Sequence, residues 1–462
     1  MNIKSLNREQ KFTYKMLMQG YNIFLTGGAG VGKTYVINYF VEQSRYIGKN
    51  VMICAPTGIA ALNIGGVTLH RQFRAPLGVI LNYKYTRNEE LIRTDILIID
   101  EISMCRIDLF DFICKNIADA NSIRRNLGLK NIQIVIVGDF FQLPPVIKEY
   151  EQRALSTYYG YDIGVGFAFN SIYWNMLELN TIVLTESIRQ QDKYFINNLN
   201  NIRIGNKAYI DAIYNNSCKQ HINNAITLCG KNREAQEINT KSLHMIDEQS
   251  MYYKAIISGD VVETDTLAEF NLELRPGARI MTLVNSQDNY VNGMLGTIQG
   301  LYDDCIIVQM DNGKTIEIER FHWDIKRYEV EETPEHDFNI KEVNVGYIEQ
   351  FPVKLAYAIT IHKSQGQTYD KMNIIPYCWD CGQLYVAISR CKKLENIYFK
   401  YEPDIKYLVI SLNVIKFYNS LKILQIQDID DNEIIALENK VETQKQSFGN
   451  ELDNLLNMIN NI

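Results

Sequence analysis

A chain of 462 residues exceeds one ordinary hydrophobic core, because single domains usually run to about 100–200 residues, so two or three packed units are expected. Hydrophobic residues at 46%, charged residues at 22% and a mean hydropathy of -0.18 exclude a disordered or a membrane-embedded chain. The net charge of -7 leaves nucleic-acid binding open, since a basic groove between acidic outer faces suffices to hold phosphates.

Nine cysteines stand far apart and no apolar leader precedes them, which argues for reduced thiols over a secreted disulfide framework. No apolar run reaches the roughly 20 residues that span a bilayer, and the segment from Met1 to Gln10 is polar without the arginine-rich character of a transit peptide. An intracellular, non-secreted protein is expected, with cytoplasm and nucleus both open.

In chain order, the first chemical signal follows the short apolar strand Tyr21 to Leu25. It is the run Gly27-Gly28-Ala29-Gly30-Val31-Gly32-Lys33-Thr34, which leads into a helical stretch from Thr34 to about Gln43. Glycines let backbone amides turn toward a phosphate, the helix N-terminus adds positive potential, Lys33 reaches the outer phosphates, and the Thr34 hydroxyl ligates Mg2+. A second apolar strand, Ile96 to Ile99, runs into Asp100-Glu101, placing two carboxylates at the C-terminal edge of a parallel sheet. Asp100 is expected to hold the metal and Glu101 to orient or deprotonate the attacking water. A third strand, Ile132 to Val137, ends in Gly138-Asp139-Phe140-Phe141-Gln142, which brings Gln142 to the same edge as a γ-phosphate sensor. Lys, Asp-Glu and Gln at three strand ends predict an NTPase core; a dinucleotide-binding dehydrogenase would have a glycine-rich turn without the lysine.

Further blocks carry a resemblance to a known family. They are Gln10 within Leu6-Asn7-Arg8-Glu9-Gln10, the P-loop, Ala55-Pro56-Thr57-Gly58-Ile59-Ala60-Ala61, Gly65 to His70, and Asp100-Glu101-Ile102-Ser103-Met104. Asp108-Leu109-Phe110-Asp111 and Gly138 to Val146 follow, then Leu184 to Gln190, Ala358 to Thr368, and Gln383 to Arg390. From about Leu6 to about Leu421 the chain thereby resembles the Pif-one (petite integration frequency) helicases of superfamily one, RecD-like branch.

The resemblance implies an α/β fold of two RecA-like P-loop NTPase lobes with parallel sheets. The first lobe would span 1–184 with a small wedge insert near 71–93, and the second 185–421 with an SH3-like β-barrel insert near 272–345. Residues 422–462 would form an acidic link and an amphipathic helix, either packed back on the motor or docking a partner. Arg189 and Arg390 would be arginine fingers reaching the γ-phosphate, Gln10 would read adenine and so favour ATP, and Gly366 would join the nucleotide site. Thr57, His70, Thr360, His362 and Lys363 would contact single-stranded DNA through phosphate and sugar without reading sequence.

The insert tyrosines and cations around Tyr83-Lys84-Tyr85-Thr86-Arg87 either part the first base pair or form the insert's own core, and the barrel either encloses the strand or acts as a spacer. Cys378-Trp379-Asp380-Cys381 has no second Cys or His pair and reads as structural. The implied activity is an ATP- and Mg2+-dependent DNA helicase on single strands and duplex junctions, moving five-prime to three-prime. Replication, repair, recombination or telomere maintenance would be its setting. An RNA-acting motor of the same superfamily and a nucleic-acid-stimulated NTPase switch without unwinding are the alternatives.

Overall fold

The computed structural model of the chain describes residues 6–426, apart from 77, 82–86, 264–265, 267, 285, 287–289, 291 and 333–337; the side chains of 59, 62–63, 326–332 and 338–343 are also outside the description. Two compact units result. The first takes the described residues of Met1–Asn216, Cys378–Leu394 and Asp404–Ile462, and the second takes those of Ser217–Tyr377 and Glu395–Pro403.

The first unit is built on six strands: β1 (Ile23–Gly27), β2 (Val51–Ala55), β3 (Val67–Thr68), β4 (Ile96–Ile99), β5 (Gln133–Val137) and β6 (Asn180–Leu184). Their order is β3-β2-β4-β5-β1-β6, and every pairing is parallel. Near-continuous apolar strands are what a parallel sheet covered on both faces demands. Alternation still sorts the side chains. Phe24, Leu97, Ile99, Ile134 and Ile136 face one core with Phe110, Ile113 and Trp174, while Ile23, Leu25, Ile98, Val135 and Val137 face the other with Tyr14, Val36 and Phe40.

The helix Leu412–Ser420 belongs to this first unit, although the sequence assigns it to the second lobe. Phe417 stacks on Phe169 with centroids 4.2 Å apart and meets Trp174 and Phe140 edge-on at 5.5 and 5.4 Å. Beyond it, Ile423 bridges Thr181, and Leu424 donates its amide to the Thr181 carbonyl at 2.9 Å, adding a short return beside β6. Residues 185–216 and 378–394 also pack with the P-loop unit. The compact unit is therefore larger than the expected span 1–184, because aromatic packing recruits segments remote in sequence.

The second unit has its own parallel sheet, ordered β18-β7-β19-β20, from β7 (Ile226–Cys229), β18 (Ala358–Thr360), β19 (Met372–Ile374) and β20 (Ile397–Phe399). Between β7 and β18 lie the antiparallel strands. Five of them, β11 (Arg279–Thr282), β12 (Leu295–Leu301), β13 (Cys305–Met310), β14 (Thr315–Glu319) and β17 (Val353–Leu355), form a sheet ordered β14-β13-β12-β11-β17. The alternation in β13 and β14 buries Ile306, Val308, Ile316 and Ile318 together. Two smaller sheets accompany it: β8 (Met251–Lys254) with β10 (Asn271–Leu274), and β9 (Ile256–Gly259) with the long hairpin β15 (Phe321–Glu332) and β16 (Phe338–Gln350). The insertion thus occupies 251–355 rather than 272–345, and among the described residues no pairing joins β14 to β17 to close a barrel.

Tyr83, Lys84, Tyr85 and Thr86 of the expected wedge and the expected C-terminal helix with Phe448, Leu452, Leu455 and Ile459 lie outside the described residues. Around the wedge, Asp108 accepts the Ile80 amide at 2.9 Å and is paired by Arg106 at 2.7 Å, while Asp111 accepts Tyr159 Oη at 2.7 Å and the Ser171 hydroxyl. Asp108 therefore anchors the base of that segment, while Asp111 ties its helix to Tyr159 and Ser171. Among the described residues no helix is long and apolar enough to cross a membrane.

Truncating Phe417 to Ala should cost roughly 3 kcal/mol, as large-to-small changes in aromatic clusters do. Denaturant unfolding of the purified variant checks this, and an unchanged midpoint would contradict the assignment of the helix to this core.

Candidate nucleotide and nucleic-acid sites

Register across the first sheet aligns Ile99 with Ile136, Ile136 with Phe24, and Phe24 with Thr181. The segments that follow β4, β5, β1 and β6 therefore leave the sheet side by side at one edge. After β1 the chain turns through the P-loop, and Gly32, with φ of 81°, caps the helix Lys33–Tyr46. A left-handed residue there favours glycine, and an added Cβ would stand 2.5 Å from Gln10 Nε2. Lys33 Nζ donates to the Gly27 and Gly28 carbonyls at 2.8 and 3.0 Å. Burial lowers its pKa, while Asp139, Glu101 and Asp100 oppose that shift.

After β4, Asp100 continues the ladder by donating its amide to the Cys54 carbonyl at 2.9 Å. Glu101 adopts φ of 50° and donates its own amide to Asp100 Oδ1 at 2.8 Å. Burial and the neighbouring Glu101 push the Asp100 carboxyl up to about 7, against the pull of that amide and of Lys33. A cation here would relieve both effects. Asp100 and Thr34 offer hard oxygen donors, and among the described residues no cluster of three or more His, Cys, Asp or Glu forms a metal cage. That donor set fits magnesium, which keeps most of its shell for water and phosphate oxygens.

After β5, Asp139 is fully buried and is gripped by Arg203, Nε at 2.9 Å and Nη2 at 2.8 Å. Burial alone would raise the Asp139 pKa, but Arg203 overrides it and the net shift is downward. Tyr418 Oη lies 3.3 Å from the same carboxylate and 2.7 Å from Thr26 Oγ1, and the guanidinium stands over the Phe141 and Tyr418 rings at 4.6 and 5.6 Å. The Asp139 carbonyl accepts the Gln142 amide at 2.9 Å, so this pair sets the turn that presents buried Gln142. Arg203 and Tyr418 escaped sequence reading, because neither lies in a motif.

After β6, the Ile188 and Arg189 amides donate to the Gly30 carbonyl at 2.8 and 3.1 Å. Arg189 Nη1 reaches the Ser389 carbonyl at 3.0 Å, and Gln190 Nε2 bonds the Ser389 and Cys391 carbonyls at 3.2 and 3.0 Å. Arg390 is buried, donating from Nε to Val386 and from Nη2 to the Ser389 hydroxyl, both at 3.1 Å. Burial, with Arg390 nearby, lowers Arg189 to about 10. Both arginines thus stand in the P-loop's own unit. Gln10 lies beneath the loop, its side chain accepting from the Asn7 amide at 3.1 Å and donating to the Gly32 carbonyl at 3.4 Å. Its neighbour Glu9 accepts the Thr185 and Glu186 amides at 2.7 and 3.2 Å.

Thr57 and His70 leave adjacent strands at the far end of the same edge, two residues past β2 and β3. Thr57 Oγ1 caps the following turn through the Ala60 amide at 3.3 Å. Burial holds His70 below the usual imidazole range, with Arg106 adding to the shift. Thr360, His362, Lys363 and Gly366 are all in the second unit. Thr360 ends β18, and His362 and Lys363 ride the single turn Ile361–Ser364. Lys354 stands beside Lys363 and is lowered to about 7 by burial and by that neighbour, with Glu269 opposing. No sequence pattern singled it out. No disulfide joins Cys378 to Cys381.

Replacing Arg203 by Ala would strand a buried carboxylate, a change that typically costs about 3–5 kcal/mol. Without the guanidinium, burial would hold Asp139 above its unfolded pKa of roughly 3.9. The folded state would then bind the extra proton, so the variant should regain stability relative to the parent as pH falls from 8 toward 5. Thermal melts across that range check the sign, and a deficit that widens on acidification would refute it.

Residues 5–222 match the family described as PIF1-like helicase. The chain is 32% identical to the ATP-dependent DNA helicase Pif1 of Campylobacter jejuni, covering 88% of this chain and 96% of that protein. Among solved structures, Bacteroides Pif1 bound to single-stranded DNA superposes with a TM-score of 0.74 at 37% identity, over 91% of this chain and 97% of that one. The Bacteroides Pif1 helicase in complex with ADP-AlF3 and single-stranded DNA gives 0.73 at 35% identity, over 90% and 96%. Near-complete coverage at such identity is a shared fold, and the chain belongs to the Pif1 family of helicases.

Proposed function

We propose that this protein is an ATP-dependent DNA helicase that translocates five-prime to three-prime on single-stranded DNA and opens the duplex ahead of it. The observation that carries the ATPase half is the single sheet edge on which Lys33, Asp100-Glu101, Asp139 to Gln142, and Arg189 emerge side by side. Phosphoryl transfer needs little covalent help and much positioning, and that edge supplies it. Lys33 takes the outer phosphates, Gln10 the adenine side, and the P-loop residues Gly27 to Thr34 wrap the chain of phosphates. Thr34 and Asp100 would hold magnesium, which would supply neutralising charge to the phosphate oxygens. Glu101 orients and deprotonates the attacking water, Gln142 monitors the γ-phosphate, and Arg189 and Arg390 stabilise the charge that develops on it.

The DNA half rests on membership of a family whose named members are DNA helicases and whose Bacteroides member has been solved bound to single-stranded DNA. Thr57, His70, Thr360, His362 and Lys363 carry hydroxyl, imidazole and ammonium groups suited to phosphate and sugar, which position a strand without reading its bases. Work in replication, repair or recombination follows from such an activity.

Steady-state ATP hydrolysis should rise strongly when single-stranded DNA is added. Lys33→Ala should abolish turnover, and Glu101→Gln should bind ATP and DNA while losing at least about 100-fold in kcat, the scale of a lost general base. Near-normal hydrolysis in Glu101→Gln would remove that residue from its role. Strand separation should need a five-prime DNA tail; efficient opening from a three-prime tail reverses the polarity, and opening from an RNA tail alone points to the RNA-acting alternative.

A further inference from the structure

The helix Gln383–Ser389 touches the P-loop through Tyr385, whose buried hydroxyl accepts the Ala29 amide proton at 2.7 Å. The same oxygen lies 3.3 Å from where a Cβ on Gly28 would stand, so the loop packs closely against it. Two other contacts fasten this helix. At its start Gly382, with φ of 69°, abuts the loop after β5 so closely that a Cβ would meet the Phe141 and Gln142 carbonyls at 2.3 and 2.6 Å. At its end the Ser389 carbonyl accepts from Arg189 and Gln190, and Arg390 follows at once. One short helix therefore joins the P-loop, the Gln142 turn and both arginines.

A phenol is donor and acceptor at once, and with one lone pair engaged by Ala29 its proton remains available. Burial, with Asp139 adding to it, raises the phenol to about 12, so the hydroxyl stays protonated through the working range. Lys33 engages the Gly27 and Gly28 carbonyls, in the same stretch that Tyr385 contacts. A phosphate chain that draws Lys33 outward thus acts on the stretch to which Tyr385 is bonded.

We propose that Tyr385 is a positioning residue that couples phosphate binding at the P-loop to the placement of Arg189 and Arg390, through its hydroxyl bond to Ala29. The inference rests on the ATPase reading above. Phenylalanine at 385 keeps the ring and its packing but cuts the tie, so it should spare ground-state binding and weaken the transition state.

The test uses the full chain with saturating single-stranded DNA. Tyr385→Phe should lower kcat about 10-fold while KM for ATP stays within about 3-fold, and should lose about 10-fold in affinity for ADP–aluminium fluoride with ADP affinity preserved. Tyr253→Phe, which removes a hydroxyl of a buried tyrosine bonded to the Tyr302 carbonyl among the inserted strands, should keep kcat and the ADP–aluminium fluoride affinity; an equal loss there overturns the proposal. Parent and Lys33→Ala run alongside. A parent no faster than Lys33→Ala defeats the ATPase reading itself, whereas an active parent matched by Tyr385→Phe in kcat and analogue affinity defeats the role of Tyr385 alone. Should Tyr385→Phe not fold, 3-fluorotyrosine at 385 gives a fluorine resonance that should shift with ADP–aluminium fluoride, and an unmoved resonance overturns the coupling.

Discussion

Everything in the first unit depends on the parallel register of β4, β5, β1 and β6. Parallel strands all end on one side, and here the pairing of Ile99, Ile136, Phe24 and Thr181 brings four strand ends to a common edge. Loops that carry chemistry need a rigid support, and buried strands supply it. Shifting any strand by one residue would exchange its two faces between the two cores and move its functional loop along the edge.

That edge concentrates charge in a desolvated place, and the arrangement of partners decides which charges survive. Asp139 keeps its charge because Arg203 grips it with two bonds, whereas Asp100, with no comparable cation bonded to it among the described residues, is pushed toward neutrality. The two carboxylates stand near Lys33 yet serve different ends. Asp139 is architectural, holding the Gln142 turn and, through Tyr418 and Thr26, tying the final helix to β1. Asp100 is left with a charge that a bound cation would restore.

Arginine placement follows the same logic. Arg189 is half-buried close to the buried Arg390, and burial and that neighbour lower it to about 10. A half-buried and a buried guanidinium, held by carbonyls and a hydroxyl, form a place where added negative charge is favourable. The helix that carries Arg390 is held by backbone contacts at Gly382 and Ser389, which makes its position a property of the whole edge.

The sequence by itself determined which candidate residues stand at the strand ends. Gly27 to Thr34, Asp100-Glu101 and Gln142 each follow an apolar run, and local spacing is enough to place such groups at strand ends, because strand, turn and helix form within a few residues of each other. The second α/β lobe was legible only through the resemblance of its motif blocks, although the alternation in Cys305–Met310 and Thr315–Glu319 is a local signal of strands. Only the tertiary structure decided which distant segments complete the edge. Arg203 meets Asp139 across 64 residues, Tyr418 meets it across 279, and Tyr385 meets Ala29 across 356. Contacts at such separations leave no periodic trace in the chain, since they depend on where packed aromatic faces such as Phe417 bring the backbone.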